Sequence, residues 1–593
     1  VDINSRVKSL RSLRSLMIER NIDVFIIPSS DNHGSEYVSE YFRVRAWISG
    51  FTGSAGTVVI TKDEAHLWTD GRYFLQAADQ IKGSEFILEK MGEPGVKTYI
   101  QWIFDNIKDG GTVSFNGKVF TVSNLERLEE AFKGKDINVS PIEDVFEDLW
   151  QDRPAMPNEK MFIMEEKYVG KSVEDKLAEV KAELKKSNAN SFLLASIDDI
   201  AWLLNLRGGD VACNPVFLSY FLIDGDDCTL YIDEAKISEE IREYLSKAGV
   251  SIKAYDDIVH DVKEVRGTLT YDPTKTNVWL KEAINSDVKV IEKRDITTDL
   301  KAVKNEVELK CMENAHLKDG VAVVKFIKWL KETIGKEEIT EMSAGDKILE
   351  FRKEGKDFLG ISFDTIAGYG PHGAMNHYKA EVDTNLTLEP KGLFLVDSGA
   401  QYIDGTTDIT RTIVLGELTE QEKEDYTLTL KGHLNLGNAV FKEGTTGSSL
   451  DVLARKDMWS RGIDFNHGTG HGVGFVLNIH EGPHNIGKNY NAIPLESGMI
   501  ISNEPGVYRA GSHGVRIENL VAVQTKMSTE FGNFLYFKDL TLCPYDLAAI
   551  KVEMLNEDEI QWLNAYHSEV FERLSPYLNE EEVNWLKEAT KAI

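Results

Sequence analysis

Seven residues between positions 397 and 518 have the types that bind metal or move protons. They read Asp397-Ser-Gly, Asp408, His467-Gly-Thr-Gly-His471, His480, Asn503-Glu504-Pro-Gly and Arg516-Ile-Glu518. Carboxylates and imidazoles are ligands for hard-to-borderline divalent ions. Leu393-Phe-Leu-Val-Asp397 reads as a buried strand that ends in an acid. Thr407 to Leu415 alternates at period two and puts Asp408, Thr410 and Thr412 on one face. An antiparallel hairpin of these strands sets Asp397 opposite Asp408, and facing carboxylates repel unless a cation or a proton lies between them. The plain alternative is two unrelated turn aspartates.

Met499 to Glu504 reads as a strand closed by Pro505-Gly506, and Gly514 to Val523 as one further strand. The alternation places Arg516, Glu518 and Leu520 on one face. Acids in apolar surroundings need a partner, and a metal pair satisfies all four carboxylates at once. Two metals about 3.5–4 Å apart polarise a carbonyl and activate water. A site of four carboxylates and one histidine favours manganese, cobalt or zinc over a thiolate metal.

Two motif matches fail on physical grounds. The glycine run His467 to Gly474 resembles a phosphate loop, yet no Gly-Lys-Ser/Thr follows it. His480-Glu-Gly-Pro-His484 fits HExxH in form, but that motif requires a helix. Proline inside a helix costs about 3 kcal/mol.

The elements that must carry these residues fall into three segments. In residues 1–153 a helix with Leu10, Leu13, Leu16 and Met17 on one face leads to the strand Val24-Phe-Ile-Ile27. Trp47-Ile48, Gly56 to Ile60 and His66 to Thr69 are further strand candidates, and Leu125 to Phe132 is helical. Arg153-Pro-Ala-Met-Pro157 marks a linker. Residues 154–304 repeat the plan: a helix at 171–186, then Ser191 to Leu194, Ile200 to Leu204, Phe217 to Ile223 and Cys228 to Ile232. The order and spacing read as a divergent tandem duplication. The third segment, 305–593, opens with a helix from Asn305 to Ile334 and ends in an amphipathic tail, 556–593. That tail is either a packing helix pair or a subunit contact.

Bulk properties narrow the function class. The 593 residues carry a net charge of −30, which disfavours nucleic acid and anionic membranes as partners. No apolar run reaches the roughly 18 residues a membrane span needs. The opening VDINSRVKSLRSLR lacks the apolar core of a signal peptide, so cytoplasmic location is the expectation. Cys213, Cys228, Cys311 and Cys543 are scattered and read as free thiols.

Together, the aspartate pair, HGTGHGVG, SNEPG and VRIEN resemble the pita-bread metallopeptidases, whose ligands run Asp, Asp, His, Glu, Glu. GPHGAMNHY at 370–378, DSGAQYIDGTTDITRT, HEGPH, LTLCPYD at 540–546 and DGRYF at 70–74 resemble the long, three-domain aminopeptidase P subgroup. The resemblance implies an α/β (α+β) fold class: two tandem creatinase-N-like α/β domains followed by a pita-bread catalytic domain. It implies Asp397, Asp408, His471, Glu504 and Glu518 as ligands of two divalent metals, with manganese first and zinc or cobalt as alternatives. It also implies hydrolysis of the bond before a penultimate proline by a hydroxide that the metals activate. Glu504 would carry the proton to the leaving nitrogen. His480 would stabilise charge on the carbonyl oxygen, and His467 and His377 would position substrate. Arg516 would support the ligands or meet a substrate carboxylate. Glu36 and Arg72 would cap the site, and the chain would act as a homodimer on peptides. His372, Asn376 and His484 fall at positions the family need not fix. A prolidase restricted to dipeptides, a creatinase-like amidinohydrolase and a non-catalytic peptide-binding module are the competing readings.

Overall fold

The computed structural model describes residues 3–593. Its contacts divide the chain into two compact units, 1–163 with 172–297 and 164–171 with 298–593. Both repeats of the duplication therefore share the first unit, whereas the second gathers everything from Thr298 onward.

The first unit holds two six-stranded sheets. In the first, the order across the sheet is Phe86–Lys90, Ala65–Thr69, Thr57–Thr61, Val24–Pro28, Gly111–Asn116 and Ile137–Ile142. In the second it is Val250–Lys253, Asp227–Ile232, Ser219–Asp224, Ser191–Leu194, Thr268–Tyr271 and Lys289–Glu292. Strand directions also match: antiparallel among the three central pairing partners, parallel at both flanks. This is the architecture a tandem duplication produces. Thr121 and Asn277 cap equivalent helices, Val122–Ala131 and Val278–Ala283, and pair with each other in an antiparallel bridge.

Two strand expectations are corrected. Trp47-Ile48 lies in the helix Val44–Ser49, and Ile200 to Leu204 lies in the helix Ile197–Leu204. These short apolar runs are buried nearly all round, so period alone does not tell strand from helix. Each helix stops at a left-handed residue, Gly50 at φ 80° and Asn205 at φ 50°. The error is the same in both copies, and the copies still agree.

The second unit is built on a six-stranded sheet and three smaller ones. The helix Glu306–Thr333 begins with a capping box between Asn305 and Glu308 and buries Val323, Val324, Phe326 and Leu330. The tail forms helices Glu557–Leu574 and Glu580–Ala589. Leu563, Val570, Leu574 and Leu586 pack into one core with Val324, Leu430, Val515 and Ile517. The tail thus packs as a helix pair on the second unit. Four free cysteines are present. No helix among the described residues is long and apolar enough to cross a membrane.

Candidate active site

A three-stranded antiparallel sheet delivers the first two acids. Leu393–Ser398 lies between Ile366–Tyr369 and Ile409–Val414. The register corrects one expectation: Asp397 pairs with Thr410, not with Asp408. Asp408 stands one residue before its strand, on the face of Thr410. The two aspartates are diagonal neighbours rather than opposed. Between the two strands, Ala400–Tyr402 and Gly405–Thr406 pair as a hairpin that turns the chain.

The other three candidate ligands come from the large sheet. Gly470–Gly472 carries His471 between Glu481–Ile486 and Ile500–Asn503. A Cβ on Gly470 would sit 2.0 Å from the Ser502 carbonyl oxygen, and one on Gly472 would sit 2.1 Å from that of Glu481. These glycines therefore serve the close approach of neighbouring strands. Glu504 directly follows Ile500–Asn503. The single strand expected over 514–523 is two, His513–Arg516 and Asn519–Thr529, in different sheets. Glu518 sits at the break between them, where its amide donates to the Thr410 carbonyl at 3.1 Å.

These chains converge. Ligand atoms of Asp408, His471 and Glu518 all lie within 4.8 Å of one another. His471 Nε2 is 3.4 Å from Asp408 Oδ2 and 3.3 Å from Glu504 Oε1. Its Nδ1 faces the Gly472 carbonyl at 2.8 Å, which fixes the ring and leaves Nε2 toward the acids. Thr410 Oγ1 donates to Glu518 Oε2 at 2.8 Å, and Ser502 Oγ donates to Glu504 Oε1 at 3.0 Å. Arg516 donates to Asp397 Oδ2 through Nη2 at 2.7 Å and Nε at 3.2 Å.

The electrostatics are those of an acid cluster short of positive charge. Burial pushes Asp397 up to about 7, and Asp408 and Glu504 add to that push against the pull of Arg516. Glu504 is raised by burial and by Asp408. Glu518 is raised well above the carboxylate range by burial and by Asp408, Glu504 and Asp397. For His471, burial pulls downward, but Asp408 and Glu504 outweigh it and lift the imidazole to about 9. Asp397 Oδ1 and Glu518 Oε1 are buried without a hydrogen-bond partner. Buried carboxylate oxygens with no donor, beside an imidazole nitrogen, fit divalent cations.

The histidines divide by surroundings. The His480 ring stands 4.4 Å from that of His471, edge to face. His467 Nε2 meets the Tyr508 hydroxyl at 2.7 Å, and that hydroxyl accepts from Arg516 Nη1 at 2.9 Å. Burial and the Arg516 charge drop His467 to about 3. His377 is exposed and within electrostatic reach of His467. Glu481-Gly-Pro-His484 belongs to a strand, so HExxH has no helix to work on. Glu481 is bound by Lys301 and Lys304, and His484 Nε2 faces the Ile500 carbonyl at 2.9 Å. In the first unit Glu36 and Arg72 are exposed; Arg72 is ion-paired with Asp70 at 2.7 Å and feels the charge of Glu36. Sequence reasoning missed Tyr508 and Ser502. Ser502 could have been found two residues before Glu504 on the same strand face; Tyr508 carried no comparable signal.

Known proteins resemble the chain throughout. The Creatinase/Prolidase N-terminal domain model matches residues 10–149, and a second model of that description matches 152–308. Metallopeptidase family M24 matches 310–525, and the C-terminal region of peptidase M24 matches 533–593. A "Probable Xaa-Pro aminopeptidase P" of Neurospora crassa is 41% identical over 608 residues, spanning 98% of this chain and 88% of the relative. "Aminopeptidase P2" of Arabidopsis thaliana is 41% identical, spanning 96% and 86%. The crystal structure of X-prolyl aminopeptidase from Caenorhabditis elegans, described as a cytosolic enzyme with a di-nuclear active site, superposes with a TM-score of 0.94 at 34% identity, covering 99% of this chain and 100% of that one. A prolidase from Pyrococcus horikoshii reaches a TM-score of 0.50 at 26% identity and covers 63% of this chain and 99% of its own.

Proposed function

The chain belongs to metallopeptidase family M24, in its aminopeptidase P branch, and from that membership and the site's geometry we propose an X-Pro aminopeptidase. It is a metallo-hydrolase that removes an N-terminal residue standing before proline. One observation carries the reading most: acids from two sheets converge on His471 with buried, donorless carboxylate oxygens.

Asp397, Asp408, His471, Glu504 and Glu518 would hold two divalent cations, with manganese the expected metal and zinc or cobalt the alternatives. Bound there, such cations supply Lewis acidity, lowering the pKa of water and polarising a carbonyl. The remaining work falls to the chain. Glu504, raised by burial and braced at Oε1 by Ser502, is suited to hold a proton on its other oxygen and release it to the leaving prolyl nitrogen. His480, whose ring stands beside that of His471, would donate to the carbonyl oxygen as charge develops there. His467 and His377 would orient the proline and its carbonyl. Arg516 gives its guanidinium to Asp397 and Tyr508, which favours the supporting role over contact with a substrate carboxylate. Glu36 and Arg72 would act from the first unit to limit what enters. The two repeats would end near residues 153 and 304. Cytoplasmic location and homodimeric assembly complete the proposal; cell fractionation and analytical ultracentrifugation check them.

The test is turnover of Xaa-Pro-Xaa peptides against Xaa-Pro dipeptides with added Mn²⁺. Release of the first residue from the longer peptides supports the reading. Cleavage of dipeptides alone would make the chain a prolidase, and no cleavage by metal-loaded protein would refute both.

A further inference from the structure

Arg455 plays no part in the ligand set, yet it holds the loop that carries the first histidine at several points. It lies on the helix Gly447–Trp459 and is fully buried. Its Nε donates to Asp451 Oδ2, one turn back on the helix, at 2.7 Å. Nη1 donates to Asp464 Oδ1 at 2.7 Å and to the Phe465 carbonyl at 2.6 Å. Nη2 donates to the His467 carbonyl at 3.1 Å and to Thr469 Oγ1 at 3.3 Å. The guanidinium carbon lies 3.7 Å from the centre of the Phe465 ring, and that ring packs against His467 with centroids 4.8 Å apart. Asp451 completes the clamp by accepting from the Thr469 hydroxyl through its second oxygen.

The clamped loop reaches both halves of the site. The Thr469 carbonyl accepts the Glu504 amide at 2.9 Å. The His467 ring leads through Tyr508 to Arg516 and Asp397. One planar fork thus fixes residues 464–469 at side chain, backbone and ring face together. Lysine keeps the charge but cannot span acceptors in so many directions.

We propose that Arg455, with Asp451, is a positioning residue that sets the placement of His467 against the proline of the substrate. The proposal rests on the function given above. Arg455 and His467 then act as one unit, and units are non-additive.

The experiment is a double-mutant cycle of Arg455→Lys and His467→Ala, read as kcat/KM on an Xaa-Pro-Xaa peptide, with hydrogen exchange of the metal-free protein alongside. Misplacing a positioning group costs on the order of 10²-fold, so Arg455→Lys should lose about that much in the wild-type background. In the His467→Ala background it should lose less than about threefold. Amides 464–470 should exchange at least about tenfold faster in Arg455→Lys, while distant strands keep their protection. Equal losses in both backgrounds would overturn the proposal, and so would unchanged exchange over 464–470. Asp451→Asn, which cuts the clamp from the other side and keeps Arg455, must repeat the pattern if Arg455→Lys fails to fold. Absence of any wild-type cleavage would instead sink the proposed function, and the exchange measurement would still decide the clamp.

Discussion

Two kinds of buried acid stand in the same unit, and their charges are handled in opposite ways. Away from the site, Asp319 receives Arg352 at 2.9 and 3.1 Å and the Tyr402 hydroxyl at 2.9 Å. Asp425 receives Arg509 at 2.9 Å twice and His513 at 2.8 Å. Burial works against both carboxylates, but these partners outweigh it and hold them below the usual range. In the cluster Asp397 also has an arginine, yet it is pushed up, because burial, joined by the crowding of Asp408 and Glu504, outweighs it. The difference is one of count. A structural acid comes with its own cation, whereas four clustered carboxylates share Arg516 and His471. An acid cluster that its own chain leaves uncompensated is arranged for charge from outside.

The comparison breaks most sharply at Glu504. Glu504→Ala removes a ligand and the proton carrier, so turnover should fall by more than about 10²-fold. The protein should nevertheless stay folded, since the substitution relieves repulsion. Peptide kinetics with circular dichroism check this, and near-normal turnover would refute both roles. Asp319→Ala should do the reverse. It strands a buried arginine, so stability should drop by roughly 3–5 kcal/mol in denaturant melts. A loss below about 1 kcal/mol would mean that the two classes of acid do not differ.

Acid should weaken the fold at histidines outside both clusters. His33 is lowered to about 4 by burial and His567 to about 3 by burial and Arg411. The unfolded imidazole binds its proton near 6.5, so the unfolded state gains protons first. Their contribution is complete above pH 6.5 and is lost as pH falls toward the folded values. Between pH 7 and 5 the loss is on the order of 2 kcal/mol for each histidine. Melting curves across that range should show the decline, and a flat profile would contradict it.

Much of this was legible because three of the ligands, Asp397, His471 and Glu504, lie beside residues that punctuate a strand. Asp397 before Ser-Gly and Glu504 before Pro-Gly gave both the element and its end. The duplication was readable from order and spacing even where Trp47-Ile48 and Ile200 to Leu204 were assigned to the wrong element. Register was not readable: alternation fixes a face but not which residue lies opposite, so Asp397 against Thr410 was out of reach. The break at Ile517-Glu518 was hidden for a related reason, because two strands of different sheets can share one unbroken apolar pattern. Arg455 and Tyr508 act through contacts 12 and 41 residues away along the chain, to His467 in each case, and local pattern does not reach that far.

The central claim is that the uncompensated cluster is a two-metal site. Chelator-stripped protein should be titrated with Mn²⁺ while bound metal and melting temperature are followed together. The account predicts uptake of about two equivalents per chain, with stabilisation of about 2.7 kcal/mol for each site at a hundredfold excess over its Kd. Loss of that uptake in Asp408→Asn should accompany it. No stabilisation, or unchanged uptake in Asp408→Asn, would contradict the account.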